Sequence, residues 1–239
     1  MKLYAYCFYA ELETLAVPPV GVSKAAVRVL KIDDISVIVS DCETVAATRE
    51  NVLEHAAVVR SVFEQTTTVP FRFGTLVNEP QLRSFITGHK LAIVNKLEHL
   101  RGCVEMNLRI NWQHPGSDAA QTNQEKTNAG PGTVFLREKR RELLGDDRTQ
   151  ARRKELSGLL REELDGLIID EEMSLKPSET VVLGKVFHLV KNPKIHEYRD
   201  KIAEVARNHP ELGLKVSGPW PPYSFANIEL EFGAQFGVS

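Results

Sequence analysis

The chain has 239 residues, 42% of them hydrophobic and 26% charged, with a formal net charge of −2. This is ordinary for a soluble globular protein and gives no global attraction for nucleic acid or an anionic membrane. The length suits two small domains or one large one. Cys7, Cys42 and Cys103 are odd in number and widely spaced, which suits free thiols in a reducing compartment better than a disulfide frame or a metal site.

Leu3–Tyr9 is apolar on both faces and predicts a buried central strand. Thr14 to Gly21, with Pro18 and Pro19, is a loop. Val27–Ile32 and Ile35–Ser40 are β-rich runs around Asp33-Asp34, a hairpin pattern. A helix follows from Thr48, the expected N-cap, with Glu50 in its first turn and a flanking Arg60–Glu64 pair. Val52, Ala56, Val59 and Phe63 supply its expected apolar stripe. Thr66–Val69 then turns β-branched, and Pro70 restricts that strand to an edge, an end or a bulge. A sharp turn is expected at Gly74.

Pro80 opens a second helix, capped by Asn78 or Glu79 and closed by Gly102, with Leu82, Ile86, Ile93, Leu97 and Leu100 inward. In Cys103–Trp112, Val104, Met106, Leu108, Ile110 and Trp112 face in, and Glu105, Asn107, Arg109 and Asn111 face out. These elements predict an α+β domain over 1–113. Residues 114–132 contain no large aliphatic or aromatic residue and read as a linker. From Thr133 to about Ile169 the pattern is helical and charged, with breaks near Gly145 and Gly158. Met173–Lys176 and Val181–Val190 read as strands around Pro177-Ser178-Glu179. Asn192-Pro193 starts a helix with Ile195, Tyr198, Ile202 and Val205 inward, and Leu212, Leu214 and Val216 alternate into a last strand. Together these predict a second, ferredoxin-like domain over 133–239.

No catalytic, metal or cofactor site stands out. His188 and His196 alone approach metal-ligand spacing, and they fall on different elements. No Gly-x-Ser-x-Gly, His-Glu-x-x-His or phosphate-loop pattern occurs, and Gly130-Pro131-Gly132 lacks a phosphate loop's remaining glycines and lysine. His55 and His89, at stripe margins, read as packed or hydrogen-bonded. Glu162-Glu163-Asp165 and Asp170-Glu171-Glu172 read as solvated faces. The basic residues of 137–161 are interleaved with acids and lack an aromatic stacking set, which suits a solvated or partner-facing helix over an RNA-binding one. An RNA-binding ferredoxin-like protein using Phe187, and a small-molecule enzyme with His188 as base, are the two rival readings. No apolar run reaches the roughly 20 residues of a membrane span, and the N-terminus lacks a signal peptide's features. The expected location is the cytoplasm.

Two segments carry a resemblance. The first is a helix with His55, Val58-Val59-Arg60 and Phe63, followed by Val69-Pro70-Phe71-Arg72-Phe73-Gly74-Thr75. The second is Gly218-Pro219-Trp220-Pro221-Pro222-Tyr223-Ser224-Phe225. In this order the pair resembles the gas vesicle protein F/L family, over roughly residues 3 to 225. The resemblance implies an α+β N-terminal domain and a modified ferredoxin-like C-terminal domain. It implies an accessory protein needed to form the gas-filled shell, in contact with the main shell protein and other gas vesicle accessory proteins. It implies no catalytic residues. In Arg72-Phe73-Gly74, Phe73 can plug the core and Gly74 supply an unusual backbone angle, or Arg72 and the aromatic residues can dock a partner. Trp220-Pro221-Pro222-Tyr223 can lock the C-terminal segment to the first domain or present rings outward.

Overall fold

The structure, a computed structural model, describes residues 2–10, 14–113, 150–177 and 181–228. The expected linker 114–132, the charged segment as far as 149, the turn residues 178–180 and the tail from 229 lie outside the described residues. The chain forms two compact units, Met1–Glu105 with Pro219–Ser239, and Met106–Gly218. This division differs at both ends from the expected 1–113 and 133–239. One strand, Cys103–Gln113, runs on through the boundary at 105. From Pro219 on, the C-terminal motif belongs to the first unit, and within it Pro221, Pro222 and Phe225 are buried.

The first unit is built on β1 (Lys2–Tyr9), whose residues from Leu3 to Tyr9 are all buried. β2 (Val27–Ile32) and β3 (Ile35–Asp41) form the expected hairpin, with Ile32 opposite Ile35 and Asp33 at φ 52°. β3 pairs antiparallel with one edge of β1. Along the other edge, two short strands share β1: β4 (Thr68–Pro70) opposite Cys7–Tyr9, and β5 (Leu76–Asn78) opposite Lys2–Tyr4. Pro70 thus ends a strand on the sheet's edge, where its missing N–H costs no ladder bond.

Helix α1 (Arg49–Phe63) starts at Thr48, whose hydroxyl accepts the Asn51 N–H at 3.2 Å. Helix α2 (Glu79–His99) starts at Asn78 with a capping box to Gln81. The α2 stripe is buried as expected. The α1 stripe is buried only in part: Val59 is buried and Phe63 half-buried, but Val52 is 43% exposed and Ala56 exposed, and Asn51, His55, Val58 and Val62 complete the buried face. The inward face runs through two polar residues, so apolar periodicity alone gives a stripe offset from the buried face.

In the second unit, strand β6 (Cys103–Gln113), a helix α3 over 150–163, β7 (Ile168–Pro177), β8 (Val181–Lys191), α4 (Ile195–Asn208) and β9 (Lys215–Trp220) follow in sequence. The sheet order is β7-β8-β6-β9, and β7 and β8 pair antiparallel. Helix α3 passes through Gly158 without a break, and Ile168 opens a strand instead of extending the helix. Leu212 belongs to a short 3₁₀ turn, so the last strand starts at Lys215, later than its alternation suggests. Met106, Leu108, Ile110, Leu156, Leu160, Val186, Tyr198 and Val205 are buried in this unit.

Candidate functional site

Helix α1 turns His55 toward Tyr4 and Tyr6 of β1, leaving the histidine 3% exposed. Its Nδ1 lies 2.9 Å from the Tyr4 hydroxyl, which also accepts the Gly74 N–H at 3.1 Å. A hydroxyl that accepts from Gly74 has its own proton to donate to Nδ1, so the imidazole is neutral with its proton on Nε2. The ring stacks on Tyr6 (5.7 Å, 22°) and meets Tyr4 and Phe73 edge-on at 5.7 and 5.9 Å, with Tyr223 at 6.2 Å. Nε2 is buried without a partner at hydrogen-bonding geometry. Burial lowers the His55 pKa to about 4, partly opposed by the nearby Phe71 main chain. Burial also raises the Tyr4, Tyr6 and Tyr223 hydroxyls above the usual phenol range.

Phe73 reaches the cluster because the chain arches between β4 and β5. Phe71 N–H donates to the Tyr6 carbonyl at 2.8 Å, and Ala5 N–H to the Thr75 carbonyl at 3.0 Å. Between those anchors the Arg72 carbonyl accepts the Thr75 N–H at 3.3 Å and its hydroxyl at 2.7 Å. Gly74 takes φ +90° there, a region that disfavours side chains. Pro70 is buried; Arg72 is exposed and reaches Asn227 Oδ1 at 3.5 Å.

The second motif begins on β9. The Gly218 carbonyl accepts from Arg199 at 2.5 Å, Pro219 is exposed and Trp220 is 42% exposed. Pro221, Pro222 and Phe225 are buried, and the Ser224 N–H donates to Glu105 Oε2 at 2.7 Å. Glu105 is 3% exposed, contrary to its expected outward position. Burial raises its carboxyl pKa, partly offset by the Ser224 hydrogen bonds. His55, Phe73, Gly74 and Tyr223 are therefore drawn together, about Tyr4. Arg60 remains on the surface with Glu64, at 2.9 Å, and Phe63 is half-buried. Sequence reasoning missed Tyr4 and Glu105. The signal for Tyr4 was present, because a tyrosine on a fully buried strand needs a partner for its hydroxyl.

A second buried network lies in the other unit. His188, 0% exposed, has Nδ1 2.8 Å from the Tyr198 hydroxyl and Nε2 3.1 Å from Glu171 Oε2. Glu171 Oε1 receives the Ser157 hydroxyl at 2.5 Å and lies 3.4 Å from Arg161 Nε. Burial acts to raise the Glu171 pKa, but the hydrogen bonds from His188 and Ser157 and the nearby positive charge hold it below its usual value. Glu171 is thus no solvated residue of a charge run. The serine meets the carboxylate and not the imidazole, and His188 is closed to solvent, so it cannot serve as the base of an open pocket. Phe187 is half-buried opposite Glu172. Among the described residues, no group of three His, Cys, Asp or Glu is placed to hold a metal, and no helix is long and apolar enough to cross a membrane.

The two units define a mixed α/β protein in which the sequence motifs are spent on joining distant segments. Residues 2–227 match the family described as gas vesicle synthesis protein GvpL/GvpF, and the chain belongs to that family. Gas vesicle protein F1 of Halobacterium salinarum is 27% identical, covering 99% of this chain and 98% of its own length. Gas vesicle protein L1 of the same organism is 23% identical, covering 93% and 89%. The crystal structure of gas vesicle protein GvpF from Anabaena sp. PCC7120 shares the fold, with a TM-score of 0.72 at 17% identity over 95% of this chain and 96% of that one. That of GvpF from Microcystis aeruginosa gives 0.71 at 18%, over 95% and 99%. The role of this chain is a gas-vesicle-related one.

Proposed function

We propose that this protein is an accessory factor for gas vesicle formation that binds the main shell protein, during assembly or as a minor component of the shell. The observation that carries this reading is the family match across residues 2–227. A physical rationale supports it. A hydrophobic shell subunit exposes apolar surface before it polymerises, and a partner with a sheet edge and exposed aromatic residues can hold it. The β4–β5 edge, the exposed Arg72 and the 42% exposed Trp220 are the features of this chain suited to that contact. The buried members of the two motifs, His55, Pro70, Pro221, Pro222 and Phe225, act by shaping the first unit. Other gas vesicle accessory proteins are further partners, and the site of action is the cytoplasm.

We also infer that Met106–Gly218 is a ferredoxin-like domain. Its support is the order β7-β8-β6-β9, with α3 between β6 and β7 and α4 between β8 and β9. Deletion of the gene in its host, followed by complementation, tests the function. Loss of vesicles restored by the intact gene, and only weakly by Arg72→Ala/Trp220→Ala, is the expected result. Normal vesicles in the deletion strain contradict it.

A further inference from the structure

We propose that Arg72 is the anchor of the shell-protein contact, and that it takes an acidic side chain of that protein in a two-pronged, hydrogen-bonded ion pair; this rests on the function proposed above. The backbone at Arg72 is fixed from both sides. Phe71 donates its N–H to the Tyr6 carbonyl at 2.8 Å and sets its ring 4.7 Å from that of Phe8. Phe73 meets the buried His55 edge-on at 5.9 Å, and the Gly74 N–H reaches the Tyr4 hydroxyl at 3.1 Å. The Arg72 carbonyl is tied to Thr75 twice, at 3.3 Å by its N–H and 2.7 Å by its hydroxyl. Both neighbouring rings thus turn inward while Arg72 stays exposed. Little backbone ordering is left to be done when a partner binds.

The guanidinium, by contrast, is not neutralised. Among the described residues its partner is the Asn227 amide oxygen at 3.5 Å, an uncharged contact at the outer limit of a hydrogen bond. Arg28, Arg60, Arg83 and Arg101 of the same unit each hold a carboxylate of the chain itself, those of Asp41, Glu64, Glu79 and Glu98. Arg49 holds none either, but it is the first residue of α1 and belongs to neither motif. Asn227 can orient the planar fork of Arg72 without cancelling its charge. The complement of such a fork on a protein partner is an aspartate or glutamate, which accepts two parallel N–H bonds from it. A hydrophobic subunit that closes over the pair excludes water and ions, so salt weakens this contact less than an open surface bridge.

Equilibrium binding of the purified full chain to the purified main gas vesicle shell protein tests the inference. Arg72→Ala is expected to raise the dissociation constant at least about tenfold, as truncation of an interface arginine anchor does. Arg72→Lys, which keeps the charge and loses the fork, recovers only part of the affinity. In an Asp→Asn and Glu→Gln scan of the shell protein, one substitution weakens binding of the wild-type chain to the same degree and leaves Arg72→Ala binding unchanged. Arg72 is exposed, so an unchanged thermal transition shows that folding is not the cause. Full binding by Arg72→Ala or Arg72→Lys, or a scan in which no acid is coupled to Arg72, overturns the inference and leaves the accessory function standing. A folded wild-type chain that does not bind the shell protein overturns both.

Discussion

The Tyr4 hydroxyl lies 2.9 Å from His55 Nδ1 and takes the Gly74 N–H at 3.1 Å, so one buried oxygen ties the central strand to α1 and to the turn after β4. Because that geometry keeps His55 neutral, folding is linked to its protonation. A pKa lowered from 6.5 to about 4 means that the unfolded chain binds the proton more readily. Stability from this group is complete above pH 6.5 and falls as the pH drops toward 4, by about 3 kcal/mol. Urea unfolding across that window checks this, and His55→Phe should flatten the slope.

Glu105 produces the opposite slope in the same unit. Its folded pKa lies above 4.5, so the folded state holds the proton more tightly, and stability falls as pH rises through the folded value. Glu105→Gln removes that loss while leaving an acceptor for the Ser224 N–H, so it should match or exceed the wild type at neutral pH. Glu105→Ala should instead cost about 1–3 kcal/mol, because the Ser224 N–H is left without its carboxylate.

His188 and Glu171 should behave as a coupled pair. Removing either leaves a buried polar group unpaired, at about 3 kcal/mol. A double-mutant cycle with alanine, read by thermal or urea unfolding, should return a coupling of about 1–3 kcal/mol. Because the Glu171 pKa is held below 4.5, its contribution is present above that pH and is lost as pH falls through the folded value.

At Gly74 the constraint is the backbone. A Cβ there meets nothing within 4 Å, yet φ is +90°. Gly74→Ala should therefore cost about 1 kcal/mol or more through strain alone, and Gly74→Asn less, since asparagine tolerates positive φ better. Equilibrium unfolding of the two variants distinguishes strain from crowding, which would penalise asparagine more.

The elements most legible in the sequence were those with a local cause. The Asp33-Asp34 hairpin follows from its flanking runs, the caps at Thr48 and Asn78 from side-chain chemistry, and the edge position of Pro70 from its missing N–H. What failed depended on distant partners. Glu105 looks outward by alternation, and only Ser224, 119 residues away, gives its carboxylate a reason to be buried. Glu171 looks like one of three surface acids until His188 is set beside it by cross-strand register. His55 sat on the edge of an apolar stripe because helix periodicity counts only apolar residues, and the buried face of α1 contains two polar ones. The motif segments at 69–75 and 218–225 were visible as segments, but their meeting through Tyr4, His55 and Tyr223 was not.

The most direct test of the proposed role is capture of the main gas vesicle shell protein by the purified, folded chain, with RNA as competitor. Saturable capture that survives high salt and added RNA, and is weakened by Arg72→Ala/Trp220→Ala, is the predicted result. Absence of capture by a chain that unfolds cooperatively, or binding that added RNA abolishes, would contradict it, the latter in favour of an RNA-binding ferredoxin-like protein.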